Sequence, residues 1–272
     1  GTSFSSQRDL YSVLGYERDL TFEHYEAAYE RGDIAQRIID AAPGATWRRT
    51  PVISNDGDPN MFTDFETAWA KLSKKRRVFH YLERADKLAG IGEYGALLIG
   101  TADVRKPEDM ARPMARLRGP DGVLYLTPFT QRSADVTETE DDSSSERFGL
   151  PSLYSLEIAD TGSLKKTAKI SVHWSRIIHI AEGLRENDIN GTPRLKAVMN
   201  RLYDIDKIAG GSAEIFWQAA KRIMVLQGKE GYSAVDDDDK LTEMMDELIH
   251  GLRRVIDIQG YDVKTLETQE VK

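Results

Sequence analysis

Ser171–Leu184, SVHWSRIIHIAEGL, is followed by a polar link and then by Thr192-Pro193. Val172, Ile177, Ile178 and Ile180 give the first part strand character, and the spacing predicts one strand over Lys169–Ile180. Thr192-Pro193 predicts a helix start. A threonine hydroxyl can accept from an early amide, and proline at the first position lacks only an N–H that would be orphaned there anyway. Leu195, Val198, Met199, Leu202, Ile205, Ala209 and Phe216 then hold a helical stripe, so a helix over 192–220 would span about 40 Å, with Gly210-Gly211 as a bend. A strand feeding a long helix, with more of both on either side, places the chain in the α+β class.

Upstream, Phe22–Ala42 reads as a helix through Tyr25, Ala28, Tyr29, Ile34, Ile38 and Ile39, stopped by Pro43-Gly44. After the turn cluster 55–60, Phe62, Phe65, Trp69 and Leu72 mark a second helix. Lys74-Lys75-Arg76-Arg77 reads as its solvated face, because Val78, Phe79, Leu82, Ala85, Leu88 and Ala89 continue the apolar stripe beyond it. Gly90-Ile91-Gly92-Glu93-Tyr94-Gly95 has dinucleotide-site spacing, yet here the helix precedes the glycines and the strand Ala96–Ile99 follows them. A pyrophosphate needs the opposite order, with a helix N-terminus after the glycines, so these glycines predict a helix stop and a tight turn into a buried strand. Val123–Phe129 and Leu153–Ile158 read as strands. The stretch 133–147, SADVTETEDDSSSER, reads as a mobile acidic loop, and Asp160-Thr161-Gly162 with Lys165-Lys166 as a link.

Downstream, Ile223–Leu226 reads as a short strand and Gly228–Ser233 as a turn. Asp236–Asp239 complements the positive end of a following helix, 239–258, striped by Leu241, Met244, Met245, Leu248, Leu252, Val255 and Ile256.

A formal charge of −8 excludes a sequence-reading nucleic-acid binder, which gathers cations to displace counterions, but it suits a wall past which DNA slides. There is no cysteine, so disulfides and thiolate metal sites are excluded, and a reducing cytoplasm is a natural setting. No window is apolar enough to cross a bilayer, and Gly1-Thr2-Ser3-Phe4 begins no signal peptide; a chain without an initiating methionine reads as a trimmed piece. His173 and His179, on one extended strand, would lie about 20 Å apart, too far to share a metal. Ser175 has no glycine elbow, His24, His80 and His250 have no nucleophile beside them, and no phosphate-binding Gly-x-x-x-x-Gly-Lys loop exists. Neither a catalytic residue, a cofactor site nor a metal site is read from the chain.

Three landmarks in order carry a resemblance: YEAAYERGDIAQRIIDAAPGATW at Tyr25–Trp47, ADKLAGIGEYGALLIG at Ala85–Gly100, and VHWSRIIHI at Val172–Ile180. Together they resemble the portal proteins of tailed bacteriophages and prophages, over most of the 272 residues. The resemblance implies a portal fold with an α/β wing at 1–190, a stem helix at 192–220, a clip at 221–238, a second stem helix at 239–258, and the start of a return to the wing at 259–272. It implies a ring, usually of twelve subunits, at one capsid vertex of the virion, assembled in the host cytoplasm. The ring would be bound by the terminase large subunit, head-completion or adaptor proteins and the major capsid protein, with double-stranded DNA passing non-specifically and no membrane involved. On that mapping Asp204, Asp206, Glu214, Glu243, Asp246 and Glu247 are channel-lining candidates, and Lys229, Glu230, Tyr232, Asp236 and Asp237 are partner-contact candidates in the clip. Two rival readings are a phosphoesterase using His173, His179 and the aspartate run, and a structural adaptor without a channel. The first would need those groups to converge.

Overall fold

GALLIGT, β1 (Gly95–Thr101), is buried almost throughout, so both of its faces must be covered. The computed structural model describes residues 9–55, 62–159, 167–220, 223–228 and 261–266, and it divides into two units, Gly1–Leu202 and Tyr203–Lys272. In the first unit β1 is the centre of an antiparallel sheet, between β2 (Val123–Thr130) and β6 (Ile177–Ile180). A second antiparallel sheet has the order β3 (Ala134–Thr139), β4 (Pro151–Ala159), β5 (Thr167–His173). Side chains alternate across β1. Ala96 and Leu98 pack with Tyr154, Leu156 and Val172 of the second sheet, while Leu97 packs with Leu126 and with Ala85 of the helix Val78–Ile91. The result is three layers: helices, first sheet, second sheet. Each fully buried leucine contributes roughly 1.5–3 kcal/mol to holding them together.

The helical layer is α1 (Leu10–Leu14), α2 (Phe22–Arg31), α3 (Asp33–Thr46), α4 (Asp64–Arg76) and α5 (Val78–Ile91). The single helix expected over 22–42 is thus two. Gly32 is extended and brings its backbone so near α2 that a Cβ would lie 2.8 Å from the carbonyl of Ala28. Pro43 does not stop α3, which runs to Thr46. The stripe through 62–89 is also two helices, parted at Arg77, whose φ of 51° puts one residue in the left-handed region. The expected turn from helix into buried strand across Gly90–Gly95 is present.

The acidic stretch expected as a loop contains β3, paired with β4 from Ala134↔Leu156 to Thr139↔Pro151. Ala134 is fully buried and Val136 packs on the core, so two apolar side chains suffice where cross-strand pairing supplies the rest. The expected strand over 169–180 is broken by a one-turn 3-10 helix, Trp174–Arg176, that moves the chain from the second sheet to the first. Thr192-Pro193 does not open the long helix. Thr192 donates its hydroxyl to the carbonyl of Gly183 at 3.0 Å and its N–H to the carbonyl of Glu182, which closes a loop, and turns over 194–198 precede α6 (Met199–Ala220). Gly210-Gly211 lies inside α6, whose helical assignment is continuous there.

In the second unit β7 (Ile223–Gly228) pairs antiparallel with β8 (Tyr261–Leu266), Ile223 opposite Leu266 and Gly228 opposite Tyr261. The strand expected at 223–226 is β7; β8 was not foreseen. The turn at 228–233, the aspartate run and the helix expected over 239–258 lie outside the described residues, apart from Gly228.

Candidate functional site

His173-x-Ser175-Arg176 turns out to be a clamp. At the 3-10 turn the Nδ1 of His173 accepts from the N–H of Ser175 at 3.2 Å and from its hydroxyl at 2.9 Å. The Ser175 oxygen in turn accepts the N–H of Met114 at 2.8 Å. Arg176, 2% exposed, donates to the carbonyl of Arg112, to the hydroxyl of Thr101 and to both carboxylate oxygens of Asp103, at 3.1 and 2.7 Å. Those bonds from Arg176 hold the Asp103 carboxyl well below the usual carboxylate range. The turn that changes sheets therefore also ties down the 102–115 connection. A guanidinium is needed because it meets the carboxylate two-pronged and still has donors for carbonyls.

His179 is built differently. Its Nε2 lies 2.8 Å from the carbonyl of Ile189, which can only accept, so Nε2 carries the proton and Nδ1 accepts from the Tyr154 hydroxyl at 3.1 Å. The ring stacks on Tyr94 at 4.7 Å, and burial pushes its pKa below 6.5. The histidines thus serve different networks on different sheets, and the aspartate run lies outside the described residues. Among the described residues no group of three or more His, Cys, Asp or Glu side chains could hold a metal ion. The convergence that the phosphoesterase reading needed is not found for the two histidines.

The root of α6 holds a second polar node of the first unit. Arg194 donates to Glu182, with Nε–Oε2 at 2.7 Å, to Asp86 at 2.9 Å and to the carbonyl of Ile39 at 2.7 Å; its own N–H reaches the carbonyl of Gly90. Asp86 also accepts the indole N–H of Trp47 at 2.7 Å. Two sequence oddities are explained here. Pro43 has no N–H for the carbonyl four residues earlier, Ile39, and Arg194 takes that orphan. Gly90 has no side chain because Arg194 lies on it: a Cβ would sit 2.7 Å from Nη1. Gly95 admits α5, since a Cβ would be 2.7 Å from the Ala85 carbonyl, and Gly92 leaves room for Gln131. The glycine pattern is thus space for three neighbours, at the helix stop and strand entry that its reversed order predicts. Next to this node Leu195, Met199 and Leu202 are buried and seat the first turn of α6.

Beyond that turn α6 is exposed. At about 100° per residue, Ile205, Ile208, Ile215 and Phe216 share an arc of about 100°, with exposures of 44% to 75%. Of the channel candidates described, Asp206 and Glu214 lie about 80° apart on the other side of the helix, with Trp217 between them, and Asp204 borders the apolar arc. Glu243, Asp246 and Glu247, and the clip candidates Lys229, Glu230, Tyr232, Asp236 and Asp237, lie outside the described residues. No helix among the described residues is long and apolar enough to cross a membrane. What the sequence missed is the Arg194 node; the signals were a proline inside a helical stripe and a glycine at a helix end.

Comparison with known proteins now bears on this architecture. A model of the family described as phage portal protein matches residues 23–264. A search of curated proteins gave no match. Among solved structures, a chain of the virion of a native gene transfer agent (GTA) particle is similar with a TM-score of 0.52 and 13% identity, over 92% of this chain and 62% of that one. A chain from the neck of the empty GTA particle, computed with C6 symmetry, agrees equally well. One from the neck of the native particle, computed with C12 symmetry, has a TM-score of 0.51 and 12% identity, again over 92% and 62%. The present chain thus spans about three-fifths of those it matches. The family model covers most of the chain, and the chain belongs to the phage portal protein family.

Proposed function

We propose that this chain supplies the wing, a stem helix and the clip of a portal subunit, and that its subunits close into a ring, of twelve by analogy, at one vertex of a virion. The observation that carries the reading is the family match over 23–264 together with the likeness to neck chains. In it, α6 is the stem helix. The apolar arc of Ile205, Ile208, Ile215 and Phe216 packs on neighbouring subunits, and Asp206 and Glu214 contribute negative potential to a channel through which double-stranded DNA is packaged and ejected without sticking. Asp204, Glu243, Asp246 and Glu247 are further lining candidates. The clip, with Lys229, Glu230, Tyr232, Asp236 and Asp237, meets the terminase large subunit on packaging and head-completion or adaptor proteins afterwards, while the wing faces the major capsid protein. Assembly takes place in the host cytoplasm.

Pairing of β7 with β8 favours a wider clip than 221–238. Leu266 lies opposite Ile223, so the clip of this reading takes in both paired strands, β7 and β8. The portal's task is passage and attachment, which requires no nucleophile. Electron microscopy of the purified protein, averaged without imposed symmetry, tests the reading. Closed rings with a hole wide enough for duplex DNA are expected; monomers or dimers alone, even at high concentration, would return the adaptor reading.

A further inference from the structure

Two features on opposite outer layers of the first unit match each other. On the helical layer a groove of about 420 Å³ is lined by Val52, Ile53, Phe62, Trp69, Ala70 and Phe79. Phe79 in its floor meets Trp69 edge-on and, behind the groove, Trp47 at a tilt, both with ring centres 6.2 Å apart. Val52 is 93% exposed and Phe62 82%, so apolar surface lies open to water. The rim is basic: Lys74 lines the groove, and the exposed Arg48, Arg49, Lys71, Lys75 and Arg77 belong to the same segments, Lys71 and Lys75 bonded to Asp121. The hydroxyl of Ser73, buried in the groove wall, has no partner among the described residues.

On the opposite layer the β3–β4 hairpin ends in a tip that is built, not loose. Glu140 and Leu150 pair through Glu140 N–H, Gly149 N–H reaches back to Glu140, and Asp142 caps Ser144 through its N–H at 2.9 Å and its hydroxyl at 2.7 Å. Arg147 fastens the base, lying 3.5 Å over the Trp174 ring and donating to the carbonyl of Pro151 at 2.8 Å. That scaffold presents Phe148, 60% exposed, on a hairpin whose end also carries Glu138, Glu140, Asp141, Asp142 and Glu146 as an acidic collar in sequence. An aromatic knob with an acidic collar on one face and an aromatic groove with a basic rim on the other are the two halves of a head-to-tail contact, the kind that closes rings.

We infer that the hairpin tip of one subunit docks in the 52–79 groove of the next copy of this chain, Phe148 filling the groove and the collar meeting Lys74 and its neighbours. The inference rests on the ring proposed above, but specifies an interface of the wing rather than of the stem. Burial of a rigid aromatic at an interface centre is worth most of such a contact, so Phe148→Ala should weaken assembly about tenfold or more. Lys74→Glu should weaken it too, and adding Glu146→Lys should restore it.

The absence of cysteine gives a clean test. The full chain carrying Val52→Cys and Ser143→Cys, both at exposed positions and with Phe148 kept, is oxidised and run on a denaturing gel, beside either single variant and with parallel imaging of particles. A ladder ending in a closed ring for the double variant, dimers only from mixed single variants, and loss of the ladder on Lys74→Glu would bear the interface out. Rings by imaging without a ladder would overturn this interface and leave the portal reading intact. A monomer cross-linked within itself would show the hairpin reaching its own groove and would also overturn it. Absence of both rings and cross-links would remove both proposals.

Discussion

Arg176 shows how a residue that looks chemical can be structural. His-x-Ser-Arg invites a reading as reactive groups, yet Ser175 and Arg176 hold the 102–115 connection against the sheet switch. Breaking a buried ion pair by removing one partner costs about 3–5 kcal/mol, because the other charge is left uncompensated. Arg176→Met should therefore lower the chemical-denaturation midpoint steeply. Arg176→Lys should recover only part of it, since an ammonium cannot serve Asp103 at two points and still reach Thr101 and Arg112. Recovery to the parental midpoint would mean that charge alone matters. From sequence the types at 173, 175 and 176 were legible and their partners were not, because Asp103, Met114 and Arg112 lie more than sixty residues earlier.

Among elements, strands and helices announced themselves by period, and their breaks did not. β1, β2 and β4 are where the apolar runs put them. The two helix breaks, at Gly32 and Arg77, interrupt stripes that keep their phase, so periodicity passes over them. β3 was hidden by its composition, because pairing with β4 rather than its own side chains makes it a strand. The close crossing of α5 over β1 gives a test at this scale. Gly95→Ala puts a methyl against the backbone of α5 and should destabilise the fold by about 1–3 kcal/mol. Gly44→Ala, inside α3 with nothing within 4 Å of the new methyl, should instead stabilise it by about 0.5–1 kcal/mol. Equal effects in thermal unfolding would show that the crossing is not tight.

For the molecule as a whole, in the proposed ring an acidic chain meeting copies of itself has to overcome its own net repulsion, and an asymmetric arrangement of charge does so. Acid at the hairpin and base at the groove rim attract head to tail while the rest repels. Added salt should therefore slow ring assembly, followed by light scattering, more than it hastens dissociation of finished rings, as charge pairs mostly set the rate of encounter. Assembly that is indifferent to salt would put its drive in the apolar arc of α6. The family was legible in the ordered landmarks; that the strands of the first unit form two sheets in separate layers was not. The groove was not, since it joins the chain after α3 to faces of α4 and α5 that look like ordinary core stripes.

The grip of Arg194 has a mechanical side. Because its donors reach α3, α5 and the 182–192 loop at once, a load on Arg194 falls on all of those bonds together, not on one after another as in unzipping. Such a joint gives no early slack and lets go all at once, so a tug on the chain at this residue is passed whole into the two helices it grips.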